Sequence, residues 1–150
     1  MVKYNDVNPP FQAHLDSVFP EGVSSHGEQY FVKNKPAKST EGIIELVFEY
    51  VRRSHFPKCP SRAQSLFACE NAQDAIEMSN RIGSQDSLIW EVTSENAFKG
   101  DMTLLTAADS VLVMSYRAHQ YWKGLPMGDH PVWEVLLRLP VTVLQRVSIA

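Results

Sequence analysis

Cysteine is scarce in this chain: Cys59 and Cys69 are the only two. They are too few for a disulfide framework, and with His55 they make a grouping whose spacing is unlike the paired ligands of a zinc site. Both are expected as free thiols, and no structural metal is expected. No run approaches the roughly 18 consecutive apolar residues of a membrane span, so none is expected. The opening Met1-Val2-Lys3-Tyr4-Asn5-Asp6 lacks the basic-then-apolar order of a secretory leader, which implies a cytoplasmic product. Glycine-rich phosphate loops are missing, both the Gly-x-Gly-x-x-Gly and the Walker type, so any nucleotide would be held another way. A Gly-x-Ser-x-Gly nucleophile elbow is missing too. Clustered positive charge is confined to Arg52-Arg53 and Lys33-Asn34-Lys35 in a chain of formal net charge −3, which gives no electrostatic footprint for nucleic acid.

What is present fits one domain. At 150 residues the chain can bury a core but not two comfortable ones. Pro9-Pro10 reads as the end of an extended N-terminal arm over residues 1–10, with a single domain over 11–150. Phe11, Ala13 and Leu15 alternate with Gln12, His14 and Asp16, the pattern of a first strand. A long loop from Phe19 to Lys38 follows, with Tyr30-Phe31-Val32 as an edge strand. Ser39 or Thr40 caps a helix carrying Ile43, Ile44, Val47, Phe48 and Val51 at three- and four-residue spacing. Ser65-Leu66-Phe67-Ala68-Cys69 reads as a central strand. Asn71 opens a second helix with Ala72, Ala75, Ile76, Ser79 and Ile82, closed by Gly83. Leu88–Thr93 is the next strand, and Met102–Leu105 a short one. Thr106 or Asp109 opens a third helix through Val111, Ser115, Ala118 and Trp122, with Gly124 beyond its end. Val132–Leu137 and Pro140–Leu144 are closing strands. This order predicts an α+β fold with about three helices and a mixed or antiparallel sheet, rather than a doubly wound parallel one.

Polar groups at three places are oddly placed. Glu134 interrupts a strand of apolar and β-branched residues; it either faces solvent or points into a cleft. His14 lies on the polar phase of the first strand, and Ser61-Arg62-x-x-Ser65 sits at the lip of another. Each has a dull explanation as an exposed residue, a structural ion pair or a strand-edge cap. Together, a His or Arg and a Ser that hold a ribose, with a Glu that accepts from its hydroxyl, make a site for breaking an N-glycosidic bond. Trp90, Tyr121 and Trp122 are either core aromatics or side chains that stack on a ligand ring.

Phe56-Pro57 with Pro60-Ser61-Arg62, then Ser65-Leu66-Phe67-Ala68, Tyr121-Trp122-Lys123-Gly124, and Glu134-Val135-Leu136-Leu137 with Val141-Thr142-Val143, resemble a small bacterial and phage family allied to the ADP-ribosyltransferases. The resemblance runs over roughly residues 11–148. It implies a split sheet with a cleft between its halves and NAD as substrate. Glu134 would be the catalytic strand glutamate and Ser65 the second-strand residue. The first-strand place against the nicotinamide ribose falls to His14, or to His26, since His26-Gly27-Glu28 resembles the His-Gly-Thr opening of small bacterial transferases. Arg62 is implied for the pyrophosphate. The arginine-modifying members carry an acidic residue two before the glutamate; here Val132 stands there. The acceptor is left open among protein, nucleic acid and small molecule. The alternative is an inactive protein on the same scaffold, of phage or toxin type, that binds and inhibits a host factor.

Overall fold

The structure, a computed structural model, describes residues 8–33, 39–81, 88–107 and 110–147. The chain begins in a helix, α1 (Pro9–Val18), where a strand was expected. The Asn8 side chain accepts from the Phe11 N–H at 3.0 Å, and the two prolines take the first helical positions, where an N–H would have no intrahelical partner. Pro9-Pro10 therefore starts the helix rather than ending an extended arm; residues 1–7 of that arm lie outside the described residues. The six residues from Phe11 fit either period. Burial of Leu15 with Phe19, four residues on, shows which one the chain uses.

The expected loop is also helical in part. Ser24 caps α2 (Ser25–Gly27), and a π-helical turn, Glu28–Lys33, contains the Tyr30-Phe31-Val32 segment expected as an edge strand. Lys33 pairs with Glu28 at 2.6 Å; Asn34 and Lys35 of that basic cluster lie outside the described residues.

The next helix, α3 (Glu41–His55), is where expected, with the Ser39 hydroxyl accepting from the Glu41 N–H. Its buried face is Ile44, Phe48 and Val51 together with Glu45 and Glu49, while Ile43 is exposed. Then come β1 (Ser65–Ala68) and α4 (Ala72–Arg81). Asn71 caps α4 as expected, accepting from the Asp74 N–H and donating its amide to the Asp74 carboxylate, both at 2.9 Å. Ile82 and Gly83 lie outside the described residues.

β2 (Trp90–Thr93) and β3 (Ala97–Asp101) follow, and Met102–Leu104 is a 3₁₀ turn rather than a strand. Ser110, not Thr106, caps α5 (Val111–Trp122), its hydroxyl accepting from the Val113 N–H; Asp109 lies outside the described residues. Gly124, at φ 69°, ends the helix in the left-handed conformation that suits glycine.

The closing strands are β4 (Trp133–Arg138) and β5 (Thr142–Arg146). They do not pair with each other. β4 is the centre of an antiparallel sheet ordered β1-β4-β3, so β1 is an edge strand and not a central one; β5 pairs with β2 in a second antiparallel sheet. The fold is thus α+β, with five α-helices and two small antiparallel sheets among the described residues. The two helices beyond the three expected are α1 and the one-turn α2.

Two apolar clusters hold the chain together. The larger joins α3, α5 and β4 through Ile44, Phe48, Val51, Ala118, Tyr121, Trp122 and Leu136. Within it the Trp122 indole N–H donates to the Phe48 carbonyl at 2.8 Å, so a buried donor is satisfied. The smaller cluster is Leu15, Phe19, Val23 and Ala63. Arg62 is next in sequence to Ala63 of the smaller cluster and donates to Tyr121 of the larger.

Candidate functional site

Arg62 is only 4% exposed, and a guanidinium so deeply buried needs a complete set of acceptors. Its Nε and Nη2 donate to the two oxygens of Glu45 at 2.9 and 3.0 Å, a bidentate pair. Its Nη1 donates to the Tyr121 hydroxyl at 2.7 Å and to Oε1 of Glu134. The Tyr121 hydroxyl in turn donates to that same Oε1 at 2.7 Å. Burial works against the Arg62 charge, but Tyr121, Glu134 and Glu45 hold its pKa well above the usual value. Burial, opposed by Arg62 and reinforced by Glu134, pushes the Tyr121 phenol well up, so it keeps the proton it donates. For Glu45 burial is outweighed by Arg62 and His26, which bring its carboxyl down to about 2.

Local sequence explains how these groups meet. Glu45 is in phase with Ile44 and Phe48 on the buried face of α3, and Tyr121 is on α5. Glu134 is the second residue of β4, the middle strand of its sheet, directly opposite Gly100 of β3. The absence of a side chain at Gly100 admits the Tyr121 ring: a Cβ there would lie 2.8 Å from the Tyr121 hydroxyl oxygen and closer still to the ring.

A cleft of about 340 Å³ opens beside this cluster, lined by His26, Tyr30, Glu41, Ile44, Glu45, Arg62, Phe67, Met102, Leu105 and Glu134. That is at the lower end of the roughly 300–1,000 Å³ typical of small-molecule sites. Its charged lining is three carboxylates against one guanidinium, which favours a cationic or hydroxyl-rich occupant over a phosphate. The His26 ring lies 4.6 Å from Tyr30 and 4.4 Å from Phe67, centre to centre, and its Nε2 meets Oε1 of Glu45 at 3.0 Å. Because Glu45 is ionised and can only accept, Nε2 is the donor in this contact.

His26 is fixed from behind. The Ser24 N–H and hydroxyl both donate to the Ala63 carbonyl, at 2.8 and 3.1 Å, tying α2 to the Arg62 turn. The approach is so close that a Cβ on Gly27 would sit 2.8 Å from that of Val23 and nearer still to the Ala63 oxygen.

The two Glu134 oxygens differ. Both hydrogen bonds land on Oε1; among the described residues nothing bonds Oε2. The only fully buried side-chain polar atom left without a partner there is Gln12 Oε1, so Glu134 Oε2 keeps contact with the cleft.

The structure therefore brings Glu134, Arg62 and His26 to one cleft and leaves two expected residues out. His14 is exposed on α1, because that segment is a helix whose inner face is Leu15. Ser65 is buried with its hydroxyl donating to the Ser61 carbonyl at 2.7 Å, and it lines a different cavity. Arg62 lines the cleft, but four of its five N–H groups have their acceptors in the cluster. Trp90 is half-exposed on β2, and Tyr121 and Trp122 are core residues; none of the three lines the cleft. Sequence reasoning missed Glu45, Tyr30 and Phe67. Glu45 was within reach, since it shares the helical phase of the apolar stripe.

Residues 10–149 match a family described as a protein of unknown function, DUF2441. The chain belongs to that family. No curated protein matches this DUF2441 chain. Groups of three or more His, Cys, Asp or Glu able to hold a metal ion do not occur among its described residues, and no helix there is long and apolar enough to cross a membrane.

Proposed function

We propose that this DUF2441 protein is an NAD-dependent ADP-ribosyltransferase whose reacting ribose sits in the Glu134–His26 cleft. The observation that supports it best is the free Oε2 of a buried strand glutamate, opening on a cleft with aromatic walls and three carboxylates. Cleavage of the nicotinamide–ribose bond sends the bonding pair out with nicotinamide and leaves an oxocarbenium-like C1′. An acceptor on protein, nucleic acid or a small molecule attacks C1′ and loses its proton. Glu134 Oε2 accepts from the ribose 2′-hydroxyl, a bond that strengthens as positive charge develops on the sugar. Nδ1 of His26 holds a second hydroxyl, and the Tyr30 and Phe67 rings pack against the His26 imidazole and steady it. Ser65 and His14 have no part in this geometry, and Arg62 acts by holding Glu134 rather than by gripping the pyrophosphate.

One observation favours the non-catalytic reading, a binding protein on the same scaffold: Arg62 offsets much of the charge that Glu134 would apply to the sugar. The two readings part on turnover. Wild-type protein incubated with NAD is expected to release nicotinamide, followed by chromatography, and Glu134→Gln should slow this at least a hundredfold while retaining NAD in equilibrium dialysis. NAD bound without nicotinamide release, or no NAD bound at all, in wild type and variant alike, would remove the enzyme. The binding protein predicts instead a host factor retained in pull-downs by wild type and Glu134→Ala alike, and a biological effect abolished by Glu134→Ala without loosened binding would undermine it.

A further inference from the structure

The second cavity has the opposite electrical character. It encloses about 200 Å³ and is lined by Glu21, Arg52, Pro57, Lys58, Cys59, Pro60, Ser61, Gln64, Ser65, Arg138 and Leu139. Three of these side chains are cations and one is an anion, in a chain whose formal charge is −3.

The positive charge there is not cancelled locally. Arg52 and Arg53 share a single carboxylate, Glu49, at 2.8 and 2.7 Å. Arg52 donates Nε and one N–H of Nη2 to Glu49 and one N–H of Nη1 to the Cys59 carbonyl, so two of its five N–H groups have no acceptor among the described residues. Lys58 and Arg138 are exposed, and neither has an ion-pair partner among the described residues. Gln64 gives one amide N–H to the Gly22 carbonyl at 3.0 Å and keeps the other. The backbone around the cavity is held rigid: the Ser61 hydroxyl donates to Glu49 at 2.9 Å and accepts from the Ala63 N–H, and Ser65 donates to the Ser61 carbonyl.

We propose that this cavity is a binding site for a phosphoryl group, with Lys58 and Arg138 as its mobile cations and Arg52 as its fixed one. A planar guanidinium with two free N–H groups matches two oxygens of a phosphate. Lys58 and Arg138 approach from the Pro57–Pro60 loop and the end of β4 and close on the remaining oxygens. The cleft at Glu134 is unsuited to phosphate for the converse reason, its three carboxylates. The proposal stands on the cavity's own lining and does not depend on the chemistry assigned to Glu134. The phosphoryl group comes either from a dinucleotide donor or from a separate phosphorylated acceptor.

The test is an NMR titration of the protein with inorganic phosphate at constant ionic strength, chloride balancing the added charge so that screening is fixed. Saturable shifts of the Lys58, Gln64 and Arg138 amides are expected. Lys58→Ala and Arg138→Ala, both at exposed positions, should each weaken binding about tenfold, the size of one lost charge-assisted hydrogen bond. Their unchanged spectra elsewhere report that the fold is intact. ADP-ribose as a second probe separates the sources: competition with phosphate points to the donor, and simultaneous binding points to an acceptor. Shifts that rise without saturating, or that persist in the Lys58→Ala/Arg138→Ala double variant, would overturn the site.

Discussion

Gly100→Ala adds one methyl group to the protein and directs it at the centre of the buried cluster. The new Cβ would lie 2.5 Å from Cζ of Tyr121 and 2.8 Å from its hydroxyl oxygen, and Tyr121 is itself fully buried. The ring cannot yield outward, because it packs edge-on to Phe48 and Trp122 at 5.4 and 4.7 Å. Overpacking of this kind costs roughly 1–3 kcal/mol. Ring displacement also loosens the hydroxyl's bonds to Arg62 and Glu134, each worth about 1.5–3 kcal/mol when a partner is charged. Against this, alanine restricts the unfolded chain by about 0.4–1 kcal/mol. The net expectation is a loss of about 3 kcal/mol. At roughly 2–4 °C per kcal/mol for a chain of this size, the melting temperature falls by about 6–12 °C, with a matching drop in the urea midpoint. Tyr121→Leu removes the atoms that Cβ would strike, so adding Gly100→Ala to that variant should cost under about 1 kcal/mol. An equal cost in both backgrounds, or a Gly100→Ala melting temperature within a degree of wild type, would refute the packing of Tyr121 over Gly100.

Two further predictions concern the same cluster. The Glu45 carboxyl is lowered from 4.5 to about 2 in the fold, so the stability it contributes is fully present above pH 4.5 and is lost as pH falls toward 2. At about 1.4 kcal/mol per unit this amounts to about 3 kcal/mol, and urea midpoints measured from pH 5 to pH 2 should show it, with Glu45→Gln flattening that limb. Arg62→Met leaves Glu45 and Glu134 buried without their cation and should cost about 3–5 kcal/mol. Thermal unfolding followed by circular dichroism checks this, and a melting temperature unchanged by the substitution would mean that the cluster is not a cooperative unit.

The legible parts of the sequence were those with one dominant period. Ile44, Phe48 and Val51 announce α3, Asn71 with Asp74 announces α4, and Val132–Leu137 announces β4. Phe11–Asp16 failed because six residues satisfy both the strand and helix periods, and Asn8 with Pro9-Pro10 settled the matter through capping. β3 was missed for a different reason. Ala97-Phe98-Lys99-Gly100-Asp101 has little apolar alternation; it is a strand because β4 offers it a partner and because Gly100 must make room for Tyr121. The site was half legible. Glu134 stood out as a charge in an apolar strand and His26 through its glycine neighbour. Glu45 did not, because its cation, Arg62, is distant in sequence; nor did Glu49, whose partners Arg52 and Arg53, three and four residues on, read as an ordinary surface pair until the burial of Glu49 is seen. Ser65 falls outside the Glu134 cleft because strand position says nothing about which cavity a side chain joins.

The uneven use of the two carboxylates bears on what fills the cleft. Arg62 engages both oxygens of Glu45 but only one of Glu134. An arrangement serving stability alone would exhaust both, since an ionised oxygen without a donor is costly once water is removed. Oε2 of Glu134 avoids that cost only while the cleft stays open to solvent. An apolar occupant would strand it at the full desolvation penalty, roughly 1–3 kcal/mol and more for a charge. A tight-binding occupant must therefore bring its own hydroxyl or N–H to that oxygen. Tyr30 and Phe67 reward a flat ring beside it, and the surplus of carboxylates rewards positive charge. A ribose hydroxyl next to a cationic ring meets all three demands. A neutral aromatic compound without a donor meets one and should bind poorly, a contrast that competition between nicotinamide riboside and toluene for the cleft would measure directly.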